Sequence, residues 1–364
     1  MFEEIPLVDD HVHPPLVGAA ERPLASFFSE AGDDGEVLAQ TPRTLFYLRA
    51  LRELAGLLDC APDEASVRTA RAAYRSGEYL RLLAKDADIE ALLVDEGYPP
   101  AGTLGVEEMG EAAGCDSHRI VRLETLAESL VARAESAATL SRLMLEHLEH
   151  AGSFVALKTI IAYRCGLAVT EPERGELEAC FRRVRTEAGE HPRLTSRPLL
   201  NFLLLRALEW AAERGVPVQF HTGYGDRDLD LLLASPAHLR PVLEAPPYSR
   251  LKVVLLHASY PYTREASYLA SVYPNVYVDW SEANPMLTPV MLRRVLEELL
   301  AQAPYTRLLY GSDAWGVPDW LWLGARAGRA ALAATLVDEP GRDEIAGRIL
   351  RDNARELYHL DAKA

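Results

Sequence analysis

The chain of 364 residues carries 54 acidic and 38 basic side chains, a net charge of -16, and 49% of its residues are hydrophobic. This composition excludes extensive disorder, and the length allows one large domain such as a barrel of alternating strands and helices. The acidic balance leaves no basic surface for phosphates, which argues against nucleic acid and anionic membranes as partners.

The cysteines and the first residues of the sequence indicate in which cellular compartment the protein functions. Cys60, Cys115, Cys165 and Cys180 are scattered and form no C-x-x-C motif, as is typical of reduced thiols in an intracellular protein. The opening "MFEEIPLVDD" is acidic where a signal peptide would be basic, and no apolar run approaches the ~18 residues of a membrane-spanning helix. We therefore expect a cytoplasmic protein.

The first apolar run, "EIPLVDDHVH" at 4–13, ends in two histidines. Residues two apart in a strand face the same way, so His11 and His13 should point together. Two neutral imidazoles on one face can hold a metal ion at roughly 2.0–2.1 Å each. Alternatively, the pair is only the polar end of a strand, and the choice depends on whether the rest of the chain supplies further ligands.

Seven more short apolar runs follow, and segments with helical periodicity separate them. Eight parallel strands alternating with helices predict a (β/α)8 TIM barrel, here a single domain over 1–364. The eight predicted strands are 4–13, 89–97, 118–125, 154–161, 216–223, 251–258, 275–281 and 306–313.

The spacing between the first two strands is unusually long. It contains "TPRTLFYLRALRELAGLL" and "DEASVRTARAAYRSGEYLRLLAKD", which are helical by periodicity and have Thr41 and Asp63 as candidate N-caps. We interpret 14–88 as a helical insertion over the barrel mouth, where loops build active sites. The segment after the fourth predicted strand, 162–195, is also unusually long and could add to this insertion.

Lys158 lies inside the apolar run "FVALKTII", in a chain with four lysines against 34 arginines. An unpaired ammonium there would be costly, and desolvation favours the neutral amine. A neutral lysine can act as a base, form a Schiff base or react with carbon dioxide to give a carbamate. A structural lysine paired with a carboxylate across the barrel is the alternative.

Three further residues end predicted strands. His221 follows "VPVQF" and His257 follows "LKVVLL", both at the carboxyl ends where such barrels carry active sites. Asp313 closes "RLLYGSD", where Gly311 suggests a close approach of the backbone. Each residue also has a purely structural interpretation. The two histidines could be polar strand ends without a ligand role, and Asp313 could be the N-cap of the helix that starts near Pro318.

In order, these residues give HxH, Lys, His, His and Asp on strands one, four, five, six and eight. This pattern, with "LKTIIAYRCGL", "LLHASYPYTREASYLASVYPNVYVDWS" and "LLYGSDAW", resembles the amidohydrolase superfamily, specifically its amidohydrolase-2 branch. The likeness is greatest to the amidohydrolase-like domain of FluG- and nodulin-related glutamine-synthetase fusions, and it extends from the first strand to "ILRDNARELYHL". The glutamine-synthetase part has no counterpart in this sequence.

The resemblance implies roles for these residues. A divalent metal, most often zinc, would be held by His11, His13, His221 and Asp313, and it would activate a water. Asp313 would accept the proton of that water, while His257 would polarise the substrate or bind a second metal. A carbamylated Lys158 would bridge two metals, and the family contains both one-metal and two-metal members.

Candidate substrate-binding residues lie just beyond the strands: Tyr163, Arg164, Tyr224, Glu282 and Trp315. Arg164 could clamp a substrate carboxylate in bidentate fashion, or it could pair with an acidic residue of the protein. We expect a metal-dependent hydrolase of an amide or lactone in a small carboxylate-bearing molecule. The alternatives are a decarboxylase or isomerase on the same barrel and an inactive barrel that serves as a scaffold. A homodimer is common among such barrels.

Overall fold

The computed structural model describes residues 2–361 except 20–21, 31–34, 76, 99–101, 188 and 190–191. Eight parallel strands follow one another around a single sheet in sequence order, and all eight predicted strands are confirmed, with boundaries shifted by a few residues. They are β1 (Leu7–Val12), β2 (Ile89–Asp95), β3 (Asp116–Arg122), β4 (Ala156–Thr159), β5 (Val218–Phe220), β6 (Val253–Leu255), β7 (Val276–Asp279) and β8 (Leu308–Leu309).

Backbone hydrogen bonds between the segments around β1 and β8 close the sheet. The amide of Asp10 donates to the carbonyl of Tyr310 at 3.0 Å, and the amide of Asp313 donates to the carbonyl of His11 at 2.9 Å. The predicted (β/α)8 barrel is therefore confirmed. Closure also brings the first strand beside the last, so that residues far apart in the sequence share one carboxyl-end face.

Helices surround the sheet. They are α1 (Gly35–Leu38), α2 (Leu45–Leu58), α3 (Glu64–Ala72), α4 (Glu78–Asp86), α5 (Val106–Ala113), α6 (Leu123–Leu130), α7 (Ala137–His150), α8 (Ile161–Arg164), α9 (Arg174–Glu187), α10 (Arg197–Arg214), α11 (Arg240–Glu244), α12 (Thr263–Val272), α13 (Ala283–Met286), α14 (Pro289–Leu300), α15 (Asp319–Thr335), α16 (Arg342–Gly347) and α17 (Asn353–Tyr358). None of the helices in the described part of the chain is long and apolar enough to cross a membrane.

Local capping explains where several helices begin and end. Gly215 adopts a left-handed conformation (φ 69°) directly after α10 and ends that helix. Asp63 accepts a hydrogen bond from the amide of Ser66 and caps α3. The cap of α2 is Thr44 and not Thr41, because Thr41 already belongs to a short 3-10 turn before the helix.

The segment 14–88 contributes both to the outer ring and to the mouth of the barrel. Within it, α4 packs between α5 and α15, and α2 packs against α3 and α15. These helices therefore extend the ring around the barrel. Among the described residues of this segment, Ser29 and Glu30 reach the cavity at the barrel mouth.

The core has two layers. Apolar faces of the outer helices pack against the outside of the sheet. A second cluster, including Val8, Leu93 and Val254, fills the barrel and contacts Leu357 and Tyr358 of α17. The amino-terminal end of the barrel is thus plugged by side chains, and the open cavity lies at the opposite end.

Candidate metal centre and substrate cavity

A cavity of about 440 Å³ opens at the carboxyl ends of the strands. Such a volume suits a small organic molecule. Two of the six predicted metal ligands, His11 and Lys158, are the penultimate residues of β1 and β4, and the other four follow strand ends. All six line this cavity: His11, His13, Lys158, His221, His257 and Asp313. The structure therefore brings the whole predicted constellation together.

The two histidines of the first strand are each held by one ring nitrogen. Nδ1 of His11 lies 2.9 Å from Oε1 of Gln219, and Nδ1 of His13 lies 3.0 Å from the backbone carbonyl of Asp95. Both partners are acceptors, so Nδ1 carries the hydrogen and Nε2 keeps its lone pair. This outer hydrogen bond is the arrangement found in metal-bound histidines.

Gln219 is itself fixed. Its side-chain amide donates to the carbonyl of Asp10 at 2.7 Å and to the hydroxyl of Tyr358 at 3.0 Å. That hydroxyl in turn donates to Oδ2 of Asp10 at 3.0 Å. Because the amide group of Gln219 is occupied by these acceptors, its carbonyl oxygen must face His11.

The second pair of imidazoles is arranged in the same way. Nε2 of His221 lies 2.9 Å from the carbonyl of Tyr224 and donates to it. Nδ1 of His257 lies 2.9 Å from the hydroxyl of Ser281 and 3.6 Å from Oε2 of Glu282, which favours a hydrogen on Nδ1. The remaining nitrogens, Nδ1 of His221 and Nε2 of His257, then face each other at 3.0 Å.

Asp313 completes the cluster. Its Oδ1 lies 3.3 Å from Nε2 of His11 and 3.2 Å from Nε2 of His13, and it has no hydrogen-bond partner although it is buried. Burial lowers the pKa of His11 to about 4, so that this imidazole is neutral. No hydrogen lies between Oδ1 and either imidazole nitrogen. Ligands bound tetrahedrally at roughly 2.0–2.1 Å are about 3.3 Å apart, so each of these two spacings fits a shared divalent cation. Among the described residues, the groups close enough to hold one metal are His11 with His257 and Asp313, and His11 with His13 and Asp95.

Lys158 is buried, with 1% of its surface exposed. Its Nζ lies 3.1 Å from Nε2 of His11, and no carboxylate among the described residues lies within ion-pair distance of it. Burial lowers the pKa of its ammonium to about 8. Deprotonation to the neutral amine is therefore easier than for an exposed lysine, and the amino group faces the ligand cluster.

Strained backbone coincides with the site. His257 (φ 65°), Glu282 (φ 56°) and Asp313 (φ 54°) have positive φ angles in the loops that follow β6, β7 and β8. Non-glycine residues adopt this conformation at a cost, which the surrounding structure must offset, and such residues concentrate at functional sites. Asp313 does not cap the next helix, since α15 begins only at Asp319.

The predicted substrate-binding residues divide into two groups. Tyr163, Arg164, Glu282 and Trp315 line the cavity. Tyr224 does not line it. Its ring packs against Tyr260, and only its backbone carbonyl reaches the site, through His221.

The sequence left open whether Arg164 pairs with an acidic residue of the protein or binds a substrate carboxylate, and its surroundings allow both. Nη2 of Arg164 lies 3.2 Å from Oε1 of Glu128, so it does pair with an acidic residue of the protein. Its Nε and Nη1 are buried and have no hydrogen-bond partner. The guanidinium therefore keeps two donors that a ligand could use.

Sequence reasoning missed several residues of the site. Asp95 ends β2 beside His13, and Arg122 at the end of β3 contacts it with Nε at 3.1 Å and Nη2 at 2.6 Å. The arginine lowers the pKa of the Asp95 carboxyl, although burial opposes it. An acidic residue ending an apolar strand was a usable signal for Asp95, whereas nothing in the sequence indicated Gln219 or Glu30.

Comparison with known proteins identifies the family of this chain. A model described as amidohydrolase matches residues 112–360. The chain belongs to the amidohydrolase family. The resemblance inferred from the sequence is thereby confirmed.

Individual relatives agree with this assignment. The chain is 32% identical to protein fluG of Emericella nidulans over 99% of its own length, and it spans about half of that protein, 46%. A candidate metal-dependent hydrolase from Lactobacillus casei ATCC 334 has a similar structure, with a TM-score of 0.89 and 32% identity over 99% of this chain and 96% of that one. Uronate isomerase from Thermotoga maritima, at 14% identity over 98% and 95% of the two chains and a TM-score of 0.64, shares the fold.

Proposed function

We propose that the protein is a metal-dependent hydrolase that cleaves an amide or lactone in a small carboxylate-bearing molecule. The observation that carries this proposal is the convergence of imidazole lone pairs on Asp313, whose buried Oδ1 lacks a hydrogen-bond donor. Imidazole and carboxylate ligands suit zinc, which we propose as the metal. A small-molecule substrate fits the size of the cavity.

The metal would be held by His11, His13, His221 and Asp313, with His257 polarising the substrate or serving a second ion. When bound, such a metal supplies Lewis acidity and an activated water at neutral pH. Asp313 would accept a proton from that water and pass it to the leaving group. Its position supports this role, because its carboxylate faces the cavity and its buried Oδ1 has no hydrogen-bond donor among the described residues.

Arg164 would orient the substrate. Its unpaired Nε and Nη1 lie in the cavity wall, and a guanidinium binds a carboxylate with two parallel hydrogen bonds. Such a contact would hold the reactive bond of the substrate at a fixed distance from the ligand cluster, which is how positioning contributes to rate.

The test has two parts. Elemental analysis of the purified protein should find one or two equivalents of zinc or a similar metal, and a chelator should abolish activity in a screen of small amides and lactones. Hydrolysis in water labelled with heavy oxygen should place that isotope in the product. A metal-free protein with full activity would overturn the proposal.

The same experiment separates the alternatives. A decarboxylase or an isomerase would give product without solvent oxygen, and an inactive scaffold would turn over nothing while keeping its function after His11→Ala. We also propose a cytoplasmic location. The absence of disulfides among the four cysteines, all free in the structure, supports it.

A further inference from the structure

The cavity has charged walls of opposite sign beyond the metal ligands. Besides Asp313, its lining includes three carboxylates with no arginine or lysine at ion-pair distance in the described part of the chain: Glu30, Asp226 and Glu282. We call these three residues the acidic wall. The two other lining carboxylates, Glu128 and Asp228, pair with Arg164 and Arg193. Arg122, Arg164 and Arg193 line the same cavity and carry positive charge.

In the described part of the chain, no arginine or lysine neutralises the carboxylates of the acidic wall by an ion pair. No ion pair to Glu30, Asp226 or Glu282 from an arginine or lysine occurs in the described part of the chain, although Arg193 lies close enough to Asp226 to interact electrostatically. Burial and the negative charges of Asp313 and Asp226 raise the pKa of Glu30 to about 8. A carboxyl group in this state gains a strong interaction when a cation enters, because its ionised form then becomes favourable.

Glu282 gives an independent indication of a ligand. It is 2% exposed, and its buried Oε1 has no hydrogen-bond partner. Its other oxygen, Oε2, lies beside His257 at 3.6 Å. Buried polar atoms are nearly always paired, so an unpaired carboxylate oxygen in a cavity wall indicates a donor that arrives with the ligand.

Arg164 is the counterpart on the cationic side. Its side chain is 10% exposed, and two of its nitrogens are buried without partners. The groups that act on it electrostatically are Glu128, Arg193, Glu124 and Arg122, and they include no member of the acidic wall. No member of the acidic wall therefore pairs with the free donors of Arg164, although all of these groups line one cavity.

Building on the proposed hydrolase function, we propose that the substrate is a zwitterion that carries an ammonium group as well as a carboxylate. The acidic wall binds the ammonium, and Arg164 binds the carboxylate. An amide or lactone derivative of an amino acid is the chemical class that satisfies both, with its scissile bond directed to the metal ligands. A substrate with a carboxylate alone would leave Glu282 and Glu30 without a donor.

The experiment uses the metal-loaded protein and a library of small amides and lactones arranged in matched sets. Each set keeps one carbon skeleton and varies its charge: zwitterion, carboxylate only, ammonium only and neutral, as in glutamine, glutaramic acid, 4-aminobutanamide and butanamide. Binding is measured by titration calorimetry and turnover by product analysis. The best ligand is expected to be a zwitterion, about tenfold or more tighter than either singly charged analogue.

Two variants test the assignment of each wall. Glu30→Gln should reduce binding of the zwitterion to the level of its carboxylate-only analogue and leave the latter unchanged. Arg164→Met should weaken every carboxylate-bearing member and leave the ammonium-only ligand unchanged. Both variants should keep the wild-type metal content, and Glu297→Gln, an exposed glutamate of α14 paired with Arg293, is the matched control.

The results that would overturn the zwitterionic substrate differ from those that would overturn the proposed hydrolase activity. If the best ligand lacks an ammonium group, if no zwitterion binds, or if Glu30→Gln leaves the ranking unchanged, the zwitterion assignment is wrong while metal content and incorporation of solvent oxygen still support hydrolysis. If solvent oxygen does not enter the product but zwitterions bind best, the hydrolase is wrong and the charge assignment holds.

Discussion

The ligand cluster and the mouth of the cavity are built differently. Each imidazole of the cluster is buried and has one ring nitrogen held by a partner on another strand or on a loop at the strand ends. At the mouth, Tyr98 and Trp315 are partly exposed and pack on each other, and Glu30 comes from the long segment after β1. The barrel strands thus fix the reactive groups, while loops supply the surface that selects the substrate.

His11→Ala should give the largest effect, because it removes an imidazole in contact with both Lys158 and Asp313. Since loss of an outer hydrogen bond alone costs roughly 10–100-fold in metal affinity, loss of a ligand should cost more than about 100-fold, with activity lost in parallel. Metal content by mass spectrometry and turnover check this. His150→Ala, an exposed histidine at the end of α7, should behave as wild type, and a fully metal-loaded His11→Ala protein would contradict the ligand assignment.

Lys158→Met tests how many metals the cluster holds. If the lysine is carbamylated, its replacement should reduce bound metal from two equivalents to one, since methionine offers no oxygen ligands. Mass spectrometry of the intact protein, with and without bicarbonate, would detect the added carbamate. Unchanged metal content would instead support a single metal held by His11, His13, His221 and Asp313, with Lys158 in an electrostatic role.

Gln219→Leu tests whether the partners of the imidazoles matter as much as the imidazoles themselves. It removes the acceptor that keeps the hydrogen of His11 on Nδ1, and metal affinity should fall roughly 10–100-fold with little change in fold. Competition with a chelator gives the affinity, and circular dichroism checks the fold. Tyr358→Phe should have a smaller effect of the same kind, and Tyr273→Phe, which removes a surface hydroxyl bonded to Glu244, is its control.

Trp315→Ala should have the smallest effect on chemistry. The indole packs against Phe27 and Tyr98 at the mouth and contacts no member of the ligand cluster among the described residues. Its loss should raise KM by about tenfold, leave metal content unchanged and alter kcat little, because it removes apolar contact area only. A loss of bound metal in Trp315→Ala would show that the cavity mouth influences metal binding by the ligand cluster.

The sequence predicted the barrel well because parallel strands are buried on both faces and appear as short apolar runs. The same reasoning indicated His221, His257 and Asp313, since a polar residue that ends such a run must lie at the carboxyl-end face. The partners could not be predicted in this way. Gln219 meets His11 only because the barrel closes, and residues so distant in sequence carry no local pattern that relates them.

The mouth was harder to predict for a physical reason. Tyr224 was expected to bind substrate because it follows His221, yet the turn after β5 directs its ring towards Tyr260. Side-chain direction in a loop depends on backbone conformation, whereas in a strand it follows from alternation. Predictions for strand ends therefore agreed with the placement of side chains more often than predictions for the loops beyond them.

The link from Tyr358 to Gln219 and Asp10 has a consequence for biosynthesis. Tyr358, which orients the partner of His11, is translated more than three hundred positions after His11. Strands β1 to β8 can pair before α17 has emerged, yet the hydrogen bonds behind His11 stay incomplete until then. A nascent or truncated chain that ends before Tyr358 should therefore bind metal more weakly than the chain that includes it, so that full metal affinity is reached only after α17 has been synthesised.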